Sequence, residues 1–186
     1  MTLTRTQVAA LLALFAGLVV LYLILARTVH APPLSLANLK TEKARPAAEV
    51  QFVDAQGVRR SLREYRGRYV LLNLWGTWCA PCAKELPALS RLGVRIPQLM
   101  VIAVALPPGN VDEAKAFLES HGAGSLGAFF DSESMLFRSF HAYALPVTVL
   151  IDPNGNEIAR AIGPAKWDAP DATAYLKSIV RSPKPG

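Results

Sequence analysis

Cysteine and histidine are scarce in this sequence, which has two cysteines, Cys79 and Cys82, and three histidines, His30, His121 and His141. A structural zinc site usually needs a second pair of ligands, and no two of these histidines stand at ligand spacing. A disulfide across so short a loop would restrict the unfolded chain very little. The scarcity therefore disfavours structural zinc and a purely structural disulfide, and it favours redox chemistry at the cysteine pair.

Acidic residues are also few, with 14 Asp and Glu against 20 Lys and Arg, so that the formal net charge is +6. Much of the excess lies around one predicted turn, in Arg59, Arg60, Arg63, Arg66 and Arg68. Because the chain also carries a candidate membrane span, we expect a solvated basic surface and no nucleic-acid partner. Docking of this surface to anionic lipid or to an acidic protein is the alternative.

Charge is absent altogether from residues 8–26. Nineteen helical residues come close to the length that crosses a hydrocarbon core, which predicts a transmembrane signal-anchor helix after a short cytoplasmic segment, residues 1–7. A cleaved signal peptide is the alternative, although the run is longer than a usual signal core and cleavage after Ala31 would leave Pro32 first. The flanking charges do not decide the orientation. A dithiol site favours a domain in the bacterial periplasm, anchored to the inner membrane by a single pass.

Residues 27–46 contain several prolines and no sustained period, which predicts a tether, followed by a folded domain at 47–181 and a tail at 182–186. Strands are predicted at 49–53, 58–62, 69–75, 99–106, 128–130, 147–151 and 157–162. Helices are predicted at 80–92, from Asn110 as N-cap to Gly122, at 133–140, and after Asp168 as the cap of a last helix. This alternation predicts an α/β domain with parallel central strands and an antiparallel end.

The two cysteines follow a predicted buried strand and begin a predicted helix. Three residues apart on one helical turn, they can come within disulfide distance. The unpaired N–H groups of the helix N-terminus stabilise a thiolate, so Cys79 is the expected nucleophile. Cys82, one turn deeper, is expected to resolve the mixed disulfide.

Three segments carry a resemblance to a known family: residues 73–87 (NLWGTWCAPCAKELP), 144–152 (ALPVTVLID) and 163–167 (GPAKW). The chain resembles the TlpA/ResA/DsbE group of membrane-anchored thioredoxin-like proteins, and TlpA in particular. The resemblance implies a thioredoxin-like α/β fold, a central mixed sheet flanked by helices. It also implies a thiol:disulfide oxidoreductase with no cofactor beyond the redox-active disulfide and no metal.

The resemblance assigns further roles. Pro146 matches the cis-proline facing the cysteines, Leu145 would offer backbone groups to a bound substrate, and Trp78 matches the tryptophan before the first cysteine. Asn73 stands where thioredoxin carries a buried aspartate, and Glu85 matches the acidic residue that this group has instead. We expect Glu85 to be partly buried, to have a raised pKa and to exchange a proton with Cys82. The alternatives are an ordinary strand-start proline, a packing tryptophan and a solvated glutamate.

The function that the resemblance favours is reduction of disulfides in specific extracytoplasmic proteins, with electrons from a membrane thiol reductase. In the resembling group, the partners serve cytochrome c maturation or the assembly of copper centres in oxidases. One alternative is an oxidant that forms disulfides. Another is a copper chaperone similar to the Sco type, for which His141 is the nearest candidate ligand. A peroxidase is disfavoured because Cys79 lacks the surroundings of such a site.

Overall fold

The computed structural model describes residues 5–28 and 32–181, and the chain divides into two compact units between Ala31 and Pro32. In its described residues the first unit is one helix, α1 (Arg5–Thr28), whose side chains are described at Gln7 and at 11–21, all exposed. As far as the structure describes the chain, none of its helices is both long and apolar enough to cross a membrane, so the predicted transmembrane helix is not confirmed. Residues 1–4, 29–31 and the predicted tail at 182–186 lie outside the described residues.

In its described residues, the second unit is built on a mixed sheet of eight strands. The strands are β1 (Leu39–Pro46), β2 (Gln51–Asp54), β3 (Arg59–Ser61), β4 (Tyr69–Trp75), β5 (Leu99–Ala105), β6 (Phe129–Phe130), β7 (Val147–Ile151) and β8 (Asn156–Ile162). Their order across the sheet is β1, β8, β7, β4, β5, β6, β2, β3. β4, β5 and β6 run parallel, whereas every other neighbouring pair is antiparallel. The predicted parallel centre and antiparallel end are confirmed.

Between Pro32 and Arg181, the described part of this unit, the chain also forms four α-helices: α2 (Ala80–Arg95), α3 (Val111–Ser120), α4 (Met135–Ser139) and α5 (Pro170–Arg181). One core cluster combines buried residues of α2, α3 and α5 with one face of the sheet, and a second combines α4 with the other face. The sheet is therefore covered on both sides, as a nearly continuous apolar central strand requires.

β4 shows how a strand with two buried faces positions the site. Because side chains alternate between faces, Leu72 and Leu74 belong to one core cluster while Leu71 and Trp75 belong to the other. Asn73 shares the face of Leu71 and Trp75 and is fully buried. Burial of each such leucine contributes about 1.5–3 kcal/mol, so this strand is a rigid base for the chain that leaves its carboxyl end.

The folded domain begins earlier than the sequence predicts. Residues 34–46, assigned to the tether, form a 3₁₀ turn (Leu34–Leu36) and the edge strand β1, which pairs antiparallel with β8. Leu36 and Leu39 are buried, whereas the described side chains from residue 40 to 46 are exposed. The tether prediction is wrong for these residues because an exposed edge strand is held by backbone pairing, which leaves no hydrophobic period in the sequence.

The cap of α3 and the final hairpin are confirmed. Asn110 Oδ1 accepts hydrogen bonds from the N–H groups of Asp112 and Glu113, both at 3.0 Å. β7 and β8 pair as a hairpin. In its turn, Asp152 Oδ1 accepts hydrogen bonds from the N–H groups of Asn154 and Asn156.

The start of α5 differs from the prediction. The helix begins at Pro170, and the N–H of Thr173 donates to the carbonyl of Ala169, so Asp168 is not its N-cap. The Asp168 carboxylate instead accepts a hydrogen bond from Arg91 Nε of α2 at 2.7 Å. The local sequence does not reveal this partner, because Arg91 lies on another helix and is 77 residues away in the chain.

Candidate active site

Cys79 and Cys82 form a disulfide at the N-terminus of α2, with their Cα atoms 5.2 Å apart. Cys79 is the N-cap residue in extended conformation, and its Sγ accepts the N–H of Cys82 at 3.4 Å. Pro81 lies in the first turn, where its missing N–H removes no helical hydrogen bond. The sulfur atoms therefore lie among the unpaired N–H groups and the positive end of the helix dipole, which stabilise a thiolate.

The two cysteines differ in accessibility. Cys79 is 5% exposed, whereas Cys82 is fully buried in the core cluster of α2. Of the two residues, Cys79 is therefore the one that another protein can reach more readily. The structure therefore distinguishes an outer cysteine, Cys79, from an inner one, Cys82, and their roles as nucleophile and resolving thiol stay predictions.

Trp78 lies beside the disulfide and is 57% exposed. Its indole Nε1–H donates to the carbonyl of Pro107 at 3.1 Å. The ring also lies against Gly76, where an added Cβ atom would come within 2.8 Å of the indole. Sequence reasoning did not find Gly76 or Pro107. The sequence did contain a signal that Pro107 lies near Trp78. Pro107 comes just after β5, which is parallel to β4, and the carboxyl ends of parallel strands meet at the same edge of a sheet.

The Leu145–Pro146 peptide bond is cis, as the resemblance implies. Val147, the next residue, pairs with Leu74 near the carboxyl end of β4, so the loop of Pro146 lies at the same sheet edge as the cysteines. Leu145 is half-buried, and the two residues before it, Tyr143 and Ala144, are exposed. The structure therefore brings the predicted substrate loop and the cysteine pair to one edge of the sheet.

Glu85 lies on α2 one turn after Cys82 and is only 3% exposed. Its Oε1 accepts a hydrogen bond from Asn73 Nδ2 at 2.8 Å, and its Oε2 accepts bonds from the Ala165 N–H and Trp167 Nε1, both at 3.1 Å. Burial raises the pKa of Glu85 to about 7, although all three hydrogen bonds favour the charged form and oppose the shift. The expected burial and raised pKa are both confirmed, so this carboxyl group can gain or lose a proton near neutral pH.

Asn73 faces Glu85 from β4. Its Nδ2 also donates to Thr148 Oγ1 of β7 at 2.9 Å, while its Oδ1 is buried and has no hydrogen-bond partner in the described part of the chain. Leaving a buried acceptor unpaired costs about 1–3 kcal/mol. Because an amide does not titrate at working pH, the proton at this position belongs to Glu85.

The arginine-rich turn is largely occupied by ion pairs. Arg60 bonds to Asp54 and Glu64, and Glu49 bonds to both Arg63 and Arg66.

No group of three or more His, Cys, Asp or Glu side chains that could hold a metal ion occurs among the residues that the structure describes. The predictions of no nucleic acid, no metal and no cofactor stay predictions.

Comparison with known proteins extends these findings. A family model described as the AhpC/TSA family matches residues 42–159. The thiol-disulfide oxidoreductase ResA of Geobacillus thermodenitrificans (strain NG80-2) is 33% identical over 155 residues, which cover 77% of this chain and 84% of that protein. ResA of Bacillus anthracis is 29% identical over 142 residues, which cover 76% and 80%.

Solved structures share the fold. A putative thiol:disulfide interchange protein DsbE from Chlorobium tepidum matches with a TM-score of 0.65 and 22% identity, covering 76% of this chain and 99% of that one. A thiol:disulfide interchange protein from Bacteroides sp. matches with a TM-score of 0.64 and 21% identity, covering 77% and 93%.

The fold and the cysteine pair, together with these relatives, define a thioredoxin-fold thiol:disulfide oxidoreductase. More particularly, the chain belongs to the AhpC/TSA family and, within it, to the ResA/DsbE group of thiol:disulfide oxidoreductases. The predicted thioredoxin-like fold, group and enzyme class are confirmed. The resemblance to TlpA in particular stays a prediction.

Proposed function

We propose that this protein is a membrane-anchored disulfide reductase of extracytoplasmic proteins. One observation carries the proposal: an outer and an inner cysteine at a helix N-terminus lie one turn from a buried carboxyl group that titrates near neutral pH. Dithiol exchange needs these three parts, a reachable nucleophile, a protected second thiol and a proton acceptor.

In the first step, the reduced protein presents Cys79 as a thiolate. Its sulfur attacks one sulfur of a substrate disulfide, so that a mixed disulfide forms and the substrate S–S bond breaks. The second substrate sulfur leaves as a thiolate and takes a proton from solvent. The helix N-terminus lowers the cost of the attacking charge because the Cys82 N–H donates to the Cys79 sulfur and the positive end of the helix dipole lies there.

In the second step, Cys82 gives its proton to Glu85 and attacks the Cys79 sulfur. The Cys79–Cys82 disulfide forms, the mixed disulfide breaks, and the other substrate sulfur leaves as a thiolate and takes a proton from solvent. Two electrons have then passed from the dithiol to the substrate. Glu85 suits this role because it follows Cys82 by three residues, on the same face of α2. A carboxyl group with a pKa of about 7 accepts and returns a proton at little cost.

The substrate would lie across the edge formed by Trp78, Leu145 and Pro146. Trp78 offers an exposed aromatic surface next to the outer sulfur. The backbone of Leu145 would pair with an extended substrate segment, and the buried Pro146 has no N–H to compete for the same acceptor. Recognition through backbone groups fits protein substrates rather than small thiols.

The uncharged residues 8–26 support an anchor, and a dithiol site that must meet protein disulfides supports placement on the periplasmic side. A membrane thiol reductase would then return the electrons. Substrates of cytochrome c maturation or of copper-centre assembly in oxidases are proposed from the resembling group. A disulfide-forming oxidant and a copper chaperone are the competing outcomes of the tests.

The Cys82→Ser variant is expected to accumulate mixed disulfides with its physiological substrates through Cys79, because the resolving thiol is gone. Substrates are captured from cells that express the full chain and are identified by mass after non-reducing electrophoresis. Cys79→Ser is the matched control, since it also retains a single cysteine, but that cysteine is the buried Cys82. Equal capture by both variants would contradict the exchange mechanism. Copper retention that His141→Ala abolishes, without reduction of insulin disulfides, would instead establish a copper chaperone.

Anchoring has its own test. The full chain is expected in the membrane fraction, and a double substitution Leu14→Arg and Leu18→Arg is expected to release most of it, because each charge in a span costs about 2.5–3.5 kcal/mol. Fractionation with alkaline extraction measures the release. Thr2→Ser and Gln7→Asn, outside the apolar run, are the control. Recovery of the unaltered full chain in the soluble fraction would overturn the anchor.

A further inference from the structure

Residues 163–167, here called the GPAKW segment, connect β8 to α5 and contact both halves of the site. At its start, the Gly163 N–H donates to the carbonyl of Pro146 at 2.8 Å. Further along, Ala165 N–H and Trp167 Nε1–H both donate to Glu85 Oε2. The segment therefore joins the predicted substrate loop to the buried carboxyl group. Gly163 has a φ of +87°, so glycine is favoured where the chain turns out of β8.

The GPAKW segment is itself held by the residues that precede β1. Asn38 Nδ2 lies within hydrogen-bond distance of the carbonyls of Ile162, Gly163 and Pro164, at 3.2, 2.9 and 3.3 Å. The Lys166 N–H donates to the carbonyl of Ser35 at 3.2 Å. A part of the chain expected as tether thus fixes the backbone that carries the donors to Glu85.

We propose that the GPAKW segment, fixed by Asn38, is a positioning element of the active site that orients the Glu85 carboxyl group through Ala165 and Trp167. The inference rests on the proposed proton exchange between Glu85 and Cys82. Asn38, Ala165 and Trp167 are positioning residues because they act through Glu85.

The physical basis is that both donors meet one oxygen of Glu85, Oε2, while Asn73 bonds to the other, Oε1. Donors on both oxygens fix the plane of the carboxyl group, and each one stabilises its charged form. Trp167 is fully buried, so no water competes for its N–H. Desolvation raises the pKa of Glu85 and the Trp167 hydrogen bond opposes that shift, so loss of this donor should raise the pKa further.

Charged groups on several elements surround Glu85, and each can affect its pKa. A test of the hydrogen bonds must therefore leave these charges unchanged. The open groove beside Glu85 is lined by Lys84 and Arg91 of α2, Lys166 and Asp168 of the following segment, and Asp171 of α5. Cys82 is the titratable neighbour on the same helix face in the reduced protein. Asn73 of β4 presents an uncharged group to Glu85, and the uncharged Ser35 and Asn38 line the groove from the residues before β1. Neutral substitutions are therefore needed.

Trp167→Phe is expected to raise the pH midpoint of the Glu85 carboxyl titration by about one unit, since one hydrogen bond to the charged form is lost. The measurement is the carboxyl ¹³C shift in the oxidised full chain, in which the disulfide keeps the thiols from titrating. Glu85→Gln assigns the signal. Asn38→Ala, half-buried and uncharged, is expected to shift the midpoint in the same direction by less. In the reduced protein, the pH profile of insulin reduction should move by the same amount.

Phe130→Leu is the matched control, because it removes a buried aromatic ring that carries no hydrogen-bond donor. An unchanged Glu85 midpoint in Trp167→Phe, or an equal shift in Phe130→Leu, would overturn the inference while leaving disulfide exchange intact. If Trp167→Phe does not fold, the Asn38→Ala titration decides in the same way. A pH profile of reduction that Glu85→Gln leaves unchanged refutes the proton role itself, and the inference with it.

Discussion

Replacing Cys79 by serine is expected to lower the rate of disulfide reduction by about a thousandfold or more, since a hydroxyl group at neutral pH cannot replace a thiolate as nucleophile. Cys82 cannot take over the attack because it is fully buried in the first turn of α2. The measurement is turnover of insulin disulfides with a dithiol donor, together with a single-turnover assay of the pre-reduced protein.

Cys82→Ser separates the two steps. This variant should lose turnover as completely as Cys79→Ser, yet in single turnover it should still release one thiol per protein and remain bound to its substrate. Ala80→Ser, also in the first turn, is the control for a small change at the same place. Substantial turnover by Cys79→Ser would show that the outer cysteine is not the nucleophile.

The free energy of unfolding of the oxidised protein is expected to fall by about 3 kcal/mol between pH 4.5 and about 7 through Glu85 alone. The pKa of Glu85 is raised from its ordinary 4.5 to about 7 because the group is buried, so the folded state keeps this proton longer than the unfolded state. The stability that Glu85 contributes by keeping its proton in the folded state is therefore fully present below pH 4.5. It is lost as pH rises to about 7, at about 1.4 kcal/mol per pH unit.

Glu85→Gln should remove this loss, so that the variant becomes more stable than the parent at pH 8 relative to pH 4.5. Guanidinium unfolding under non-reducing conditions at several pH values measures the difference. Asp54→Asn is a control of opposite sign. Burial raises the Asp54 pKa, but hydrogen bonds from Val58 and Arg60 outweigh it and hold the pKa below its usual value. Its contribution is thus lost as pH falls. Parallel stability curves for Glu85→Gln and the parent would contradict the expectation.

Local sequence signals predicted much of the fold correctly. The nearly continuous apolar pattern of β4, the Asn110 cap of α3 and the β7–β8 hairpin were all found, because each depends on residues close in sequence. Edge strand β1 was missed, because its hydrogen bonds go to β8, more than a hundred residues away. The predicted Asp168 cap was wrong for a similar reason, since Arg91 of a distant helix binds that carboxylate.

For the site, the sequence by itself determined the chemistry: two cysteines one turn apart at the start of a helix, a carboxyl group one turn further and a proline before a strand. These features are local or follow from residue type. Only the tertiary structure decided that Cys82 is closed off, that Pro107 and Gly76 hold Trp78, and that the GPAKW segment, fixed by Asn38, reaches Glu85. Burial and hydrogen-bond partners are properties of packing between distant segments, and a buried carboxyl group acquires its proton affinity from them.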